Sequence, residues 1–303
     1  MELSQKRMRK QLERMKPLIT GCSMELARKG QDALGALLSR SYHKEVRVEE
    51  VCFPGFPACR IVPRDQSPVG RMLYLHGGGY VCGDLEYAKG FGSVLSAVTG
   101  AEVLCPAYRL APEHLYPAAL EDVNSVFLWM ERQAEQYRID LQRVFIVGDS
   151  AGAQIASQYL AILTNEAYAE LFGFSLPRKL RVRAAALNCG VYDVRKYVNE
   201  TKNAPIKQYL PEEEQNAFHT ADTIQAFTDR FPPAFIMTSH YDFLKQWAEP
   251  FYQLLRSKGV PCEYHLYGAP EKKEIGHVFH LNIRTEEARL CNTEECRFFR
   301  KFL

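Results

Sequence analysis

No stretch of this chain reaches the roughly 18 consecutive apolar residues that a bilayer-crossing helix needs, so no membrane-spanning helix and no stable membrane insertion are expected. Nor does one sign of charge dominate. Lys and Arg number 38 against 36 Asp and Glu, a formal net charge of +2, and on that balance the chain is no general nucleic-acid binder. The opening residues carry Lys6, Arg7, Arg9, Lys10, Arg14 and Lys16 without an apolar core or a small-residue cleavage site, which argues against a secretory signal. Nine cysteines, odd in number and scattered, do not make a disulfide framework; reduced, mostly buried thiols and a cytoplasmic location are expected. Internal repeats and low-complexity tracts are also missing, which excludes a solenoid or a disordered linker. What remains, 47% hydrophobic and 24% charged residues over 303 positions, suits one large globular domain.

Residues 4–40 show an amphipathic helical pattern, with Met8, Leu12, Met15 and Ile19 at three- and four-residue steps among basic residues. Packing onto the protein is preferred for this segment over lying on an acidic membrane. Strand signals follow at 46–51, 59–62 and 72–75, then at 101–105, 144–147, 183–187, 234–238 and 262–266. Helical patterns at 117–136, 150–163, 246–257 and 286–302 alternate with the later strands. That rhythm predicts an α/β fold with a largely parallel sheet covered on both faces. The polar stretch 192–231, with Pro205 and Pro211, is too long for an ordinary helix-to-strand connection and reads as an insertion.

The strongest chemical signal is Gly148-Asp149-Ser150-Ala151-Gly152, placed directly after an apolar strand-like run and before a helix-like one. A serine on so sharp a strand-to-helix turn needs small neighbours two residues away on either side, because side chains there would collide as the backbone doubles back. The helix N-terminus also favours an anion beside the hydroxyl. A second signal, His76-Gly77-Gly78-Gly79, ends an earlier strand. Successive glycines let backbone N–H groups face a substrate oxygen, as an oxyanion hole requires. Neither phosphate-loop pattern, G-x-x-x-x-G-K-[ST] or G-x-G-x-x-G, is present, so acyl transfer is favoured over phosphate binding.

A serine hydroxyl needs a base, and the base needs an acid to orient it. Five histidines follow Ser150. His219 lies in the insertion, and His240 and His265 lie in or beside strands, where structural roles are expected. His277 follows a long polar loop after the last strand and is preferred as the base; His280, three residues on, is not separated from it by spacing. Asp242, just after the 234–238 strand, is the preferred acid, at the strand end where ligands of parallel sheets gather. Asp193 is its rival. Asp149 is set aside because a side chain adjacent to the nucleophile on a sharp turn points away, and Asp84 is assigned to hydration or capping.

The motifs His76-Gly77-Gly78-Gly79-Tyr80, Tyr108-Arg109-Leu110-Ala111-Pro112-Glu113-His114, Pro117-Ala118-Ala119-Leu120-Glu121-Asp122 and Gly148-Asp149-Ser150-Ala151-Gly152 resemble the hormone-sensitive-lipase-like family of α/β-hydrolases. The resemblance runs from about Arg71 to the C-terminus. It implies a helical cap segment over residues 1–40, a catalytic α/β-hydrolase domain over 41–303 and a cap insertion at about 192–231. It implies further that Ser150 is the nucleophile, His277 the base and Asp242 the acid, with the amides of Gly78, Gly79 and Ala151 as oxyanion donors and Gly77 able to replace Gly79. Ala153 stands where the family often has glycine. Arg109, Glu113 and Asp122 are read as a buried ion-pair framework behind the site.

The activity so implied is that of a serine carboxylesterase acting on a small-molecule, short-chain acyl ester, without metal or organic cofactor. An amidase or formamidase, or a ligand-binding protein that has kept the fold and lost catalysis, is the alternative; self-association as a homodimer is left open. His277, His280, Cys291 and Cys296 are residue types that bind zinc, but Cys291 and Cys296, five apart on a helix-like run, point to different faces.

Overall fold

The central strands are short apolar runs because both of their faces are covered. A computed structural model describes residues 28–30, 33, 42, 44–53, 55–201 and 204–303. Among these residues eight strands form one sheet: β1 (Val46–Phe53), β2 (Phe56–Pro63), β3 (Arg71–Leu75), β4 (Glu102–Pro106), β5 (Val144–Asp149), β6 (Val182–Asn188), β7 (Ala234–Ser239) and β8 (Cys262–Tyr267). Their order is β1-β2-β4-β3-β5-β6-β7-β8. Pairings β1–β2 and β2–β4 are antiparallel, and all others are parallel. Every strand expected from the sequence is present, with ends displaced by a few residues.

Side chains alternate across β3 and β5 as a pleated strand requires. Leu73, Leu75, Val144 and Ile146 enter one core, and Met72, Tyr74, Phe145 and Val147 the other. Helix α1 (Leu85–Thr99) covers the second face, where Phe91 and Val94 are buried. Helices α2 (Ala118–Arg132) and α3 (Ala151–Thr164) cover the first, through Phe127, Ile155 and Tyr159. Short helices α4 (Glu166–Glu170), α5 (Val194–Glu200), α6 (Ile206–Tyr209) and α7 (Glu212–Ala217) follow, the last three within the insertion. Helix α8 (Ala248–Ser257) returns to the first face and α9 (Glu286–Arg300) to the second, with Phe251 and Phe299 as their deepest aromatic residues.

Besides the short helices α4 to α7, the sequence pattern did not show helix α1. Gly90, Gly92, Ser93 and Ser96 interrupt its apolar stripe yet are themselves buried. A Cβ at Gly92 would lie 2.5 Å from Cys105 Sγ, so the helix needs glycine there to approach the sheet. Asp84 caps its first turn, accepting from the N–H groups of Glu86 and Tyr87.

The amphipathic segment 4–40 lies almost wholly outside the described residues, and Met8, Leu12, Met15 and Ile19 with it. Its described part includes Arg28, which makes a two-pronged ion pair with Glu113 (2.8 and 2.9 Å) and donates to the carbonyls of Val81 and Ala111. This corrects the expectation for Glu113: the side chain is about half exposed and pairs with Arg28, not with a buried framework. Arg109 and Asp122 do pair, through both the Arg109 Nε (2.8 Å) and its backbone N–H (2.7 Å), and Asp122 is buried. No disulfide joins the described cysteines, and Cys59, Cys105, Cys189, Cys291 and Cys296 are buried.

Candidate active site

Strand β5 runs into α3 through a turn too tight for side chains at its flanks. A Cβ at Gly148 would stand 2.4 Å from the Gly152 carbonyl oxygen, and one at Gly152 2.0 Å from that of Leu75. Between them Ser150 holds φ 54° and ψ −114°, a conformation that a residue with a side chain adopts only when its surroundings impose it. Its N–H donates to the Asn188 carbonyl at 2.8 Å.

Other strands parallel to β5, namely β3, β7 and β8, lead to the other groups at the same end of the sheet. Beyond β3, Gly77 packs against the turn: a Cβ there would lie 3.0 Å from the Asp149 carbonyl oxygen and 3.2 Å from the Ser150 Cβ. Gly78 takes φ 139° and Gly79 φ 62°. A Cβ at Gly78 would overlap the Cys82 carbonyl at 2.0 Å, so the loop turns as it does only with glycine. The N–H groups of Gly78, Gly79 and Ala151 meet no acceptor among the described residues. His76 anchors this loop: its Nδ1 lies 2.8 Å from the Gly77 carbonyl, its ring stacks on Tyr108 at 4.3 Å, and Tyr108 Oη donates to its carbonyl. Burial pushes the His76 imidazole down to about 4, against the smaller opposing effect of the Gly77 carbonyl, so the ring is neutral.

His277 stands on the loop after β8. Its Nε2 is 2.9 Å from Ser150 Oγ and its Nδ1 is 2.7 Å from Asp242 Oδ1. Asp242 is buried at the end of β7, where Thr238 Oγ1 donates to Oδ2 (2.8 Å) and the Leu244 N–H to Oδ1 (2.9 Å). Burial pushes its pKa up, but His277, the Leu244 N–H and the Cys189 thiol outweigh that and hold it below the ordinary carboxyl value. The rival Asp193 instead caps α5, accepting from the Lys196 N–H at 2.9 Å. His280 turns away from Ser150 to Asp149, with Nε2 2.9 Å from Oδ1. His265 stacks on Phe235 and bonds Glu263 at 3.2 Å.

His277, His280, Cys291 and Cys296 do not converge. Among the described residues the metal-ligand types that cluster are Cys189, Asp242 and His277, within 4.8 Å of one another, and the hydrogen bonds above account for two of the three. Cys189, Thr238 and Asn188 were not singled out in the sequence. Their signal is strand register, since each stands at or next to the end of β6 or β7, and register is not written in local pattern.

Known proteins share this fold. A family model described as the alpha/beta hydrolase fold matches residues 72–281. The chain belongs to the α/β-hydrolases, in their hormone-sensitive-lipase-like family. This α/β-hydrolase is similar to Esterase LipI of Mycobacterium tuberculosis strain H37Rv, 32% identical over 74% of this chain and 73% of that one. In structure it is similar to an esterase of the archaeon Pyrobaculum calidifontis (TM-score 0.75, 24% identity, 92% of this chain and 93% of the other). A bacterial heroin esterase is similar too, with TM-score 0.76 and 24% identity over 93% and 92% of the two chains. At such identities the structural likenesses show the fold alone.

Proposed function

We propose that this α/β-hydrolase is a serine carboxylesterase for small, short-chain acyl esters. Ser150 Oγ attacks the ester carbonyl while His277 Nε2 takes the hydroxyl proton; Asp242, at His277 Nδ1, fixes the ring's orientation and stabilises the imidazolium. The carbonyl oxygen becomes an oxyanion facing the N–H groups of Gly78, Gly79 and Ala151, with Gly77 the alternative to Gly79. Collapse breaks the bond to the leaving oxygen, and His277 returns the proton to that alcohol. A water molecule, deprotonated by His277, then attacks the acyl-enzyme, and Ser150 leaves with the proton restored.

The observation that carries this reading is the line Ser150 Oγ, His277 Nε2, His277 Nδ1, Asp242 Oδ1, with its contacts of 2.9 and 2.7 Å. Likeness to Esterase LipI supports esters over amides as substrates. Support for a short acyl chain comes from the insertion, read as a cap. Pro205 Cβ would lie 3.0 Å from a Cβ at Gly79, and Tyr209 stacks on Tyr80 at 4.8 Å with its carbonyl accepting from the Tyr116 N–H. A cap seated on the proposed oxyanion loop would limit the room for an acyl chain.

The test is labelling with a fluorophosphonate followed by peptide mapping, together with turnover of an aryl acetate. Modification is expected at Ser150, and Ser150→Ala should lower kcat by about three orders of magnitude or more while the protein still folds. A different labelled serine would sink the assignment.

A further inference from the structure

Behind Ser150 lies a buried polar cluster that the proposed reaction leaves unused. Asp149, the residue before the nucleophile, is fully enclosed, and three side chains converge on its carboxyl group. Tyr74 Oη donates to Oδ2 at 2.6 Å; Asn188 Nδ2 at 3.0 Å and His280 Nε2 at 2.9 Å reach Oδ1. Asn188 also extends to α9, where its amide meets Glu295 Oε2 at 3.0 Å, and its carbonyl holds the Ser150 N–H. His280 is fully buried as well, edge-on to Phe91 of α1 at 5.0 Å, and its carbonyl accepts from Asn292 Nδ2 of α9.

Enclosing an imidazole and a carboxyl group is costly, and an apolar pair of similar volume is often at least as stable. Stability alone is therefore a poor explanation for the arrangement. Its placement offers a better one. His280 sits in the one-turn segment Phe279–Leu281, three residues after His277, whereas Asp149 immediately precedes Ser150. The bond between them joins the two backbones that set the distance from base to nucleophile. A displacement of about 1 Å in such a geometry costs roughly 100-fold in rate.

We propose that His280 is a positioning residue: through Asp149 it ties the loop that bears His277 to the turn that bears Ser150, and so maintains their 2.9 Å contact. This rests on the esterase reading of the site.

Two substitutions separate the donor from the ring. Glutamine can place an amide nitrogen where His280 Nε2 stands; asparagine ends at the position of Nδ1, which has no partner among the described residues. With a short aryl ester, H280Q should keep kcat within about threefold, while H280N should lose about 10- to 100-fold in kcat with KM changed by less than about threefold. Melting temperatures of both, and S150A in parallel, complete the experiment. Unaltered kcat in H280N overturns the inference, as does an equally large loss in H280Q at a native-like melting temperature. Should H280N fail to fold, H280Q decides alone: retained kcat supports the tie, and loss at a native-like melting temperature overturns it. Activity retained in S150A overturns the reading of the site and the inference with it, whereas an inactive S150A beside a fully active H280N overturns the inference alone.

Discussion

Ser150 holds a backbone conformation that costs about 1–3 kcal/mol for a residue with a side chain, and only neighbours that over-determine it can keep it there. Gly148 and Gly152 remove the collisions, Asn188 takes the N–H, and Asp149 is pinned from three sides. His277 is held in turn by Asp242. Groups that act as one unit do not contribute additively, so His277→Ala and Asp242→Asn should each lower kcat on an aryl acetate by orders of magnitude. The double variant should be scarcely worse than His277→Ala alone. Steady-state kinetics on the three proteins decides this, and an active Asp242→Asn would remove the acid's role. The sequence exposed Ser150 and the glycines of residues 77–79 because their requirement is local: small residues at fixed offsets in a turn. Its place after a long polar loop favoured His277, but spacing did not separate it from His280. Val278 between them takes φ 47° and turns the two rings in different directions, and spacing does not encode that turn. Glu113 failed as a buried framework residue for a similar reason, since its partner Arg28 lies 85 positions away.

Among the elements, strands were legible wherever both faces are buried, because β3, β5 and β7 then become unbroken apolar runs. Helix α1 was not, since its approach to the sheet replaces apolar bulk with Gly92 and serines. Helix α9 was legible in outline, but the amphipathic pattern hid that Glu295 points inward. Burial raises the Glu295 carboxyl to about 7, against opposing effects of His280 and the Asn188 amide, with Asp149 adding to the rise. The ordinary value is 4.5, so between about pH 4.5 and 7 the unfolded chain ionises this group while the folded chain keeps it protonated. Folding therefore loses stability as pH rises through that window, by an amount on the order of 3 kcal/mol, and the loss is complete above about pH 7. Glu295→Gln keeps an acceptor for Asn188 Nδ2 and has no charge to bury. Relative to the unaltered protein, it should gain stability progressively as pH rises from about 4.5 to 7 and keep that gain unchanged above, with the difference shrinking toward the acid end. Urea unfolding midpoints across that range measure it; parallel curves for the two proteins would mean that folding leaves the ionisation of Glu295 unshifted.

At the scale of the whole molecule, the parallel strands carry Ser150, Asp242 and the Gly77–Gly79 loop to one end of the sheet, and residues of the insertion meet that loop there. Pro205 and Tyr209 pack against Gly79 and Tyr80, the contact on which the proposed cap rests. The polar length of 192–231 marked it as an insertion, but its seating on Gly79 depends on residues well over 100 positions apart and could not be read from pattern. If the site is capped as proposed, its acyl pocket rewards each added methylene by about 0.8 kcal/mol only while wall remains to be covered, and then meets a steric limit. For a series of aryl esters differing only in acyl length, kcat/KM should therefore rise and fall with a maximum at roughly two to six carbons. Because burial of a longer chain adds binding without improving attack geometry, the fall beyond the maximum should appear chiefly in kcat as acyl chains are forced out of line with Ser150. A maximum at about twelve carbons or beyond, or a jump in rate when the substrate forms an oil–water interface, would show a pocket open at its far end and would defeat the reading of residues 192–231 as a closed cap.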